Sequence, residues 1–168
     1  FCALSGVVYL VNDLHDRDAD RLHPAKRTRP IAAGEISPQT AGVAALVIGG
    51  AALSGAALIG MPFLTAAAGY LALFALYSRW LKHVVIIDVL AIAIGFVLRT
   101  YAGAAAIDVP VSDWLLVCTV LLALFLGLAK RRHEITLLSG DAAGHRRILD
   151  EYNPYLLDQM IGVVTAST

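Results

Sequence analysis

The chain has 168 residues, of which 58% are hydrophobic and only 15% are charged, and its formal net charge is zero. A soluble domain is usually about 45–50% apolar and about 25% charged, so this composition predicts an integral membrane protein. With no net positive charge and no polybasic tail, nucleic acid is excluded as an expected partner. The two cysteines, Cys2 and Cys118, lie in separate apolar runs. They are too few for a disulfide framework or a zinc site, and we interpret them as buried thiols.

The first element is the apolar run FCALSGVVYLV at residues 1–11. The sequence begins inside this run without Met and stops inside another apolar stretch, MIGVVTAS. We therefore interpret the chain as a fragment of a longer polytopic protein rather than as a product with a signal peptide.

An acidic motif, NDLHDRDAD, follows the first run directly, and within it Asn12, Asp13, Asp16 and Asp20 form the pattern N-D-x-x-D-x-x-x-D. Offsets of three and seven return to one face of a helix, so Asp13, Asp16 and Asp20 are predicted to form one stripe. Such carboxylates repel one another unless a cation lies among them. Their oxygens suit Mg²⁺, which bridges carboxylates to substrate phosphates. The motif therefore predicts three aspartates that are both metal ligands and catalytic residues, with Asn12 beside them binding substrate.

A basic segment comes next and contains Lys26, Arg27 and Arg29. Ammonium and guanidinium groups bind phosphate oxygens, so these three residues are predicted to bind substrate and to complete a Mg²⁺–diphosphate site. The alternative is a solvated loop whose charges neutralise one another. The position beside a membrane helix favours a site, because charge at membrane depth is costly and is usually functional.

Four apolar segments follow, at residues 38–60, 63–81, 84–106 and 111–129. Each approaches the ~20 residues that a helix needs to cross ~30 Å of hydrocarbon. The predicted fold class is therefore all-α, a polytopic transmembrane helix bundle. A buried bundle in a soluble protein is disfavoured, because successive apolar runs of this length need lipid around them.

The basic residues predict the topology. Of 13 Lys and Arg residues, all but Arg99 fall on alternate loops. Because cytoplasmic loops carry the excess of Lys and Arg, those loops are predicted to be cytoplasmic. We expect a plasma-membrane protein, in contact with membrane lipids, whose active site lies on the cytoplasmic side.

Two charges interrupt the third apolar segment, Asp88 and Arg99. A spacing of eleven residues returns close to the same face of a helix, and such charges normally face a bundle interior or a cavity. Arg99 is predicted to bind substrate, with a structural polar contact as the alternative. A transporter lined by both charges is a third possibility. It is disfavoured because transporters place polar groups near the membrane midplane, whereas in this sequence the polar residues cluster at one side of the predicted membrane.

The motif NDLHDRDAD followed by KRTRPIAAGEIS resembles the UbiA superfamily of intramembrane prenyltransferases. The resemblance implies a bundle of nine transmembrane helices that cleaves a diphosphate with Mg²⁺ held by two acidic motifs. By helix order, residues 1–168 would be a fragment of one such domain: the end of helix two, helices three to six and the start of helix seven. The chain would thus contain about half of the fold.

The second acidic motif of that family, D-x-x-x-D, is altered here. The corresponding stretch reads LAKRRHEITLL, in which Lys130 replaces the first acid and Glu134 keeps the place of the second. Other acids in the same loop are further candidates: Asp141, Asp150 and Glu151.

The stretches KHVVIIDVLAIAIGFVLRTYAGAAA and GLAKRRHE resemble the branch of the family that makes decaprenylphosphoryl-5-phosphoribose. This resemblance implies transfer of phosphoribose from 5-phosphoribosyl 1-diphosphate (PRPP) to a polyprenyl phosphate. It implies that Lys130 and Glu134 are catalytic and that Arg131, next to Lys130 and Arg132, binds a substrate phosphate. The alternative is a prenyltransferase that moves a prenyl group from a prenyl diphosphate to an aromatic or other acceptor.

Overall fold

The computed structural model describes residues 1–24, 26–137 and 152–167. In these residues the chain forms helices and no strand, which confirms the all-α prediction. The elements are α1 (Cys2–His15), α2 (Arg17–Leu22), α3 (Pro30–Ala33), α4 (Pro38–Ile59), α5 (Met61–Arg79), a 3-10 turn (Leu81–His83), α6 (Ile87–Ala106), α7 (Asp113–Leu137) and α8 (Pro154–Ala166).

Four of these helices, α4 to α7, are long and apolar enough to cross a membrane. They correspond to the four predicted apolar segments, and most of their bounds differ from the prediction by three residues or fewer. The exception is the end of α7, which the apolar pattern placed near residue 129 and which continues to Leu137. The charged residues KRRHE are good helix formers apart from His, so the helix continues past the apolar run.

Capping residues set the start of two helices. The Ser37 side chain accepts a hydrogen bond from the Thr40 N–H at 3.1 Å, and Pro38 follows as the first residue of α4. Asn153 caps α8 in the same way, with Pro154 next. Both sites combine a side-chain acceptor for a free N–H with a proline whose fixed φ suits a first turn.

A single residue, Gly60, connects α4 and α5. Its φ of 147° lies in a region that residues with a Cβ rarely adopt. Its N–H donates to the Ala56 carbonyl at 3.3 Å and its carbonyl accepts from the Leu64 N–H at 3.0 Å. Gly60 alone therefore connects two candidate membrane helices, at a point where the sequence carries no basic residue.

The structure divides into two compact units, residues 1–78 and 79–168. In the first unit α1 packs against α4, where a Cβ on Gly49 would lie only 3.7 Å from the Val7 side chain. Phe1 also makes edge-to-face contacts, with centroid distances of 5.4 Å, to Phe63 and Tyr70 of α5. Small and aromatic side chains thus hold α1 against both neighbouring helices.

In the second unit α7 packs against both α6 and α8. The closest approach is at Gly127, where an added Cβ would lie 2.7 Å from Val89 Cγ1 of α6. Next to this contact lies a core of four buried side chains, contributed by Val89, Leu128, Tyr152 and Leu157. Glycine at position 127 therefore sets the distance between α6 and α7.

The prediction that both cysteines are buried is wrong, because Cys2 and Cys118 are exposed. Large apolar side chains such as Leu46 and Leu58 of α4 are also exposed. In a membrane helix the outward face contacts lipid and is itself apolar, so an apolar neighbourhood in the sequence does not imply burial within the protein.

Candidate functional site

The acidic motif lies across the junction of α1 and α2. Helix α1 ends at His15, and Asp16 forms the junction with φ −93° and ψ 4°. The Asp16 N–H donates to the Asn12 carbonyl at 2.9 Å, and the Asp20 N–H donates to the Asp16 carbonyl at 2.8 Å. Helical hydrogen bonding therefore spans the junction, so that the predicted spacing along one face is kept although the helix is divided.

Two of the three predicted metal ligands converge on one cation. Arg29 Nη1 donates to Asp13 Oδ1 at 2.8 Å and to Asp20 Oδ2 at 2.9 Å. The Asp20 side chain is 5% exposed and that of Asp13 is 24% exposed, whereas Arg29 is 38% exposed. The structure thus places a positive charge at the point where both carboxylates meet, as their mutual repulsion requires.

Arg29 owes its position to the short helix that follows it. It is the N-cap of α3, which begins with Pro30 and buries Ile31 and Ala32. Arg21 of α2 donates through Nε to the Ala32 carbonyl at 3.0 Å. These contacts hold α3 next to α2 and keep the Arg29 side chain within reach of the acidic motif.

The protonation of Asp13 reflects this crowding. Asp13 lies outside the four candidate membrane spans, and burial raises the pKa of its carboxyl above the usual value. Arg29 lowers this pKa, while the nearby Asp20 and Asp16 carboxylates raise it. Lys26 lowers this pKa as well, with the smallest effect of these groups.

The remaining predicted residues of the motif have other surroundings. Asn12 Oδ1 accepts from Ser78 Oγ of α5 at 3.5 Å. Asp16 is half-buried, and Arg27 is exposed. Asp18, which the spacing placed off the stripe, is 90% exposed and lies 3.6 Å from Arg21.

The donor set fits a divalent cation in part. In the described ranges no group of three or more His, Cys, Asp or Glu side chains is arranged to hold a metal ion, so Asp16 does not join Asp13 and Asp20 in such a group. Asp13 and Asp20 nevertheless offer two hard oxygens to a single point. A Mg²⁺ ion with its waters and a substrate phosphate suits such a pair, provided that Arg29 gives up its place.

The altered second motif forms a different kind of cluster. Lys130 is exposed, whereas Arg131 is 3% exposed and donates through Nε to Asp88 Oδ2 at 2.7 Å. Arg131 Nη1 also donates to Glu134 Oε2 at 2.7 Å. Arg131 therefore has two carboxylate partners within its own unit, and its predicted contact with a substrate phosphate stays a prediction.

Tyr152 completes this cluster and was not found from the sequence. Its hydroxyl donates to Asp88 Oδ1 at 2.6 Å and accepts from the Ile86 N–H at 2.7 Å. Burial and the bond to the Asp88 carboxylate both raise the pKa of Tyr152 above its usual value, so the hydroxyl stays protonated. A buried Asp88 signals that some partner must exist, but no sequence pattern connects it to a residue 64 positions away.

Arg99 and Asp88 share α6 but not their surroundings. Asp88 is fully buried, while Arg99 is exposed with its guanidinium carbon 5.9 Å from the centroid of the Phe96 ring. The role of Arg99 in substrate binding stays a prediction. The further acidic candidates that follow α7 in the sequence lie outside the described residues: Asp141, Asp150 and Glu151.

The four apolar spans and the charged clusters define a polytopic helical membrane protein, with one ionic cluster outside these spans and one inside the ends of α6 and α7. The sequence profile of the UbiA prenyltransferase family matches residues 1–150, and the chain belongs to that family.

Relatives and solved structures agree with this assignment. The chain is 35% identical over 152 residues to a decaprenyl-phosphate phosphoribosyltransferase of Mycobacterium tuberculosis, covering 90% of this chain and 50% of that protein. It is 38% identical over 159 residues to the protein of that name from Corynebacterium glutamicum, covering 94% and 48%. A UbiA homolog from Archaeoglobus fulgidus, bound to GPP and Mg²⁺, matches with a TM-score of 0.74 and 25% identity over 96% of this chain and 60% of that chain. The chain thus spans about half the length of these curated relatives.

Proposed function

We propose that the full-length protein is a Mg²⁺-dependent transferase that moves 5-phosphoribose from PRPP to a polyprenyl phosphate and releases diphosphate. The observation that carries this proposal is the convergence of Asp13 and Asp20 on the guanidinium of Arg29. Two acids and one partly exposed cation at one point suit a ligand that is itself a complex of a divalent cation and a diphosphate. The similarity to decaprenyl-phosphate phosphoribosyltransferases supports PRPP as the donor and decaprenyl phosphate as the acceptor.

In the proposed reaction the bond between ribose C1 and the diphosphate oxygen breaks, and a bond forms between C1 and an oxygen of the polyprenyl phosphate. When bound, Mg²⁺ neutralises charge on the departing diphosphate. Asp13 and Asp20 would hold the cation, with the polar groups of Asp16 and Asn12 beside them. Arg29, displaced from the two aspartates, would bind the diphosphate together with Lys26 and Arg27.

The second unit supplies separate groups in this proposal. Lys130 is exposed, so its ammonium is available to a phosphate of PRPP or of the lipid. Glu134 is partly exposed and is held by Arg131, which fixes its carboxylate. Arg99 binds the acceptor phosphate. The positive-inside distribution supports a site on the cytoplasmic side of the plasma membrane.

The test is an assay of the full-length protein in membranes with radiolabelled PRPP, decaprenyl phosphate and Mg²⁺. We expect transfer of label to lipid, its loss on chelation of the metal, and a loss of about a hundredfold or more for Asp13→Asn, which removes one charge from the pair. The matched control is Asp18→Asn, because Asp18 is an exposed acid of the same segment that lies off the stripe.

The rival function is transfer of a prenyl group to an aromatic acceptor, which the solved homolog bound to GPP and Mg²⁺ favours. The same membranes are therefore supplied with a prenyl diphosphate and an aromatic acid. Consumption of that pair with PRPP left untouched would overturn the proposal in favour of the rival.

A further inference from the structure

A second ionic cluster, buried in the unit of residues 79–168, joins three elements through one carboxylate. Asp88 lies in the first turn of α6, Arg131 in the last third of α7, and Tyr152 shortly before α8. Their exposures are 0%, 3% and 3%. Asp88 uses Oδ2 for Arg131 at 2.7 Å and Oδ1 for Tyr152 at 2.6 Å, so both of its oxygens are satisfied.

Stability alone does not account for these charges. A buried ion pair loses so much hydration that apolar side chains of similar volume often serve a fold equally well. The pair does provide a defined geometry. The buried Asp88 carboxylate needs its cation, and Arg131 reaches it only when α7 is rotated about its axis so that Arg131 faces the core. Arg131 must point inward for its Nε to reach Oδ2.

This rotational setting determines where the two neighbouring candidate residues lie. Successive residues of a helix are about 100° apart, so an inward Arg131 turns the preceding Lys130 away from the core, and Lys130 is indeed exposed. Glu134, three residues on, shares the face of Arg131 and accepts from its Nη1 at 2.7 Å. The buried Asp88 thus controls the placement of an exposed cation and a half-exposed carboxylate.

The same cluster also holds the start of α6. Ile86, the residue before this helix, has φ 71° and ψ −44°, a strained conformation for a β-branched residue. Its N–H donates to the Tyr152 hydroxyl, which in turn donates to Asp88. The strained backbone at Ile86 is therefore fixed by the network that fixes α7.

We propose that Asp88 is a positioning residue, which holds Arg131 and Tyr152 so that Lys130 of α7 meets a phosphate of the substrate and the Glu134 carboxylate keeps its place beside Arg131. This inference rests on the proposed function for the identity of the substrate, but not for the geometry. Asp88 acts through α7 and does not itself contact the reacting atoms.

The first test is steady-state kinetics of the full-length protein with Asp88→Asn, Glu134→Gln and the double variant, well below their thermal midpoints. Asp88→Asn should lower kcat/KM for PRPP about tenfold or more, with KM raised, because a small misplacement of binding groups costs this much. The double variant should lose less than the product of the two single losses, since both changes disturb one arrangement. The control is Asp158→Asn, which alters the exposed pair between α8 and Arg132 of α7.

The result that overturns the inference is a lower thermal midpoint for Asp88→Asn with unchanged kcat and KM of the folded protein. Strict multiplication of the two single losses in the double variant would overturn it as well. Each of these outcomes would assign Asp88 a purely structural role.

A second readout separates this inference from the proposed function, because it needs no activity. Spin labels are attached through Lys130→Cys and Tyr155→Cys, both at exposed positions, in a background without other accessible cysteines. Asp88→Asn should broaden or shift the distance distribution between the labels, whereas Asp113→Asn, at an exposed position at the other end of α7, should leave it unchanged. An unchanged distribution for Asp88→Asn would overturn the positioning role even where PRPP transfer is confirmed. A broadened one supports that role even where PRPP proves not to be the donor.

Discussion

The described residues contain two similar clusters, each with one arginine between two carboxylates at 2.7–2.9 Å. They differ in their access to solvent. Arg29 in the first unit is 38% exposed, whereas Arg131 in the second is 3% exposed. A partly exposed guanidinium can move into solvent, and the buried Asp20 that it leaves then needs another cation, whereas the buried Arg131 has no solvent into which it can move. This difference in exposure is why we propose ligand exchange for the first cluster and helix positioning for the second.

Removal of the buried cation should give the largest effect. Arg131→Gln leaves the fully buried Asp88 without its cation, and a loss of about 3–5 kcal/mol in the free energy of unfolding is expected. Thermal unfolding of the purified full-length protein measures this loss. Arg29→Gln is the matched variant in the exposed cluster and should cost less, with Mg²⁺ restoring part of the loss. Equal losses for the two variants, with no effect of Mg²⁺, would contradict the distinction drawn from exposure.

An intermediate effect is expected when the buried cluster is opened without touching its charges. Gly127→Ala places a Cβ 2.7 Å from Val89 Cγ1, one residue after Asp88, and should force α6 and α7 apart. The expected loss of stability is about 1–3 kcal/mol, as for other overpacked contacts. Gly42→Ala in α4 is the control, since nothing lies within 4 Å of an added Cβ there. A neutral Gly127→Ala would show that the α6–α7 contact adapts readily and that its spacing does not protect the cluster.

The smallest effect is expected for ligand binding at the Arg29 cluster. There Arg29→Gln should change the affinities for Mg²⁺ and for PRPP in opposite directions. In Arg29→Gln, Asp13 and Asp20 lose the guanidinium that competes with the metal, so Mg²⁺ should bind about three- to tenfold more tightly when no donor is present. Binding of PRPP should weaken, because the same guanidinium is proposed to bind the diphosphate. Calorimetry on the full-length protein measures both constants.

The control for the metal constant alone is Arg27→Gln, since Arg27 is exposed and no Asp13 or Asp20 contact involves it in the described cluster. Weaker Mg²⁺ binding in Arg29→Gln would show that Arg29 supports the metal rather than competing with it.

The positions of the membrane helices could be predicted from the sequence because a single physical requirement determines their length and composition. A bilayer demands about 20 apolar residues in succession, and α4 begins and ends within one residue of the predicted segment. The spacing of Asp13 and Asp20 likewise predicted that they share a face, because helical hydrogen bonds continue through Asp16.

Long-range partners were not accessible in this way. The inward setting of Arg131 depends on a carboxylate 43 residues away, and the role of Tyr152 depends on the same one. Periodicity within α7 treats Lys130, Arg131 and Arg132 alike, since all three are basic and adjacent. Their separation into one exposed residue, one buried residue and one paired with Asp158 follows only from what packs against the helix.

The connection at Gly60 has a consequence for how the protein enters the bilayer. Of the four membrane helices α4 is the most apolar and α5 the least, and one residue separates them. A connection of one residue is too short for α4 to cross the membrane while α5 stays in solvent. We therefore expect α4 and α5 to enter the membrane in one step, with the more apolar helix favouring insertion of the less apolar one.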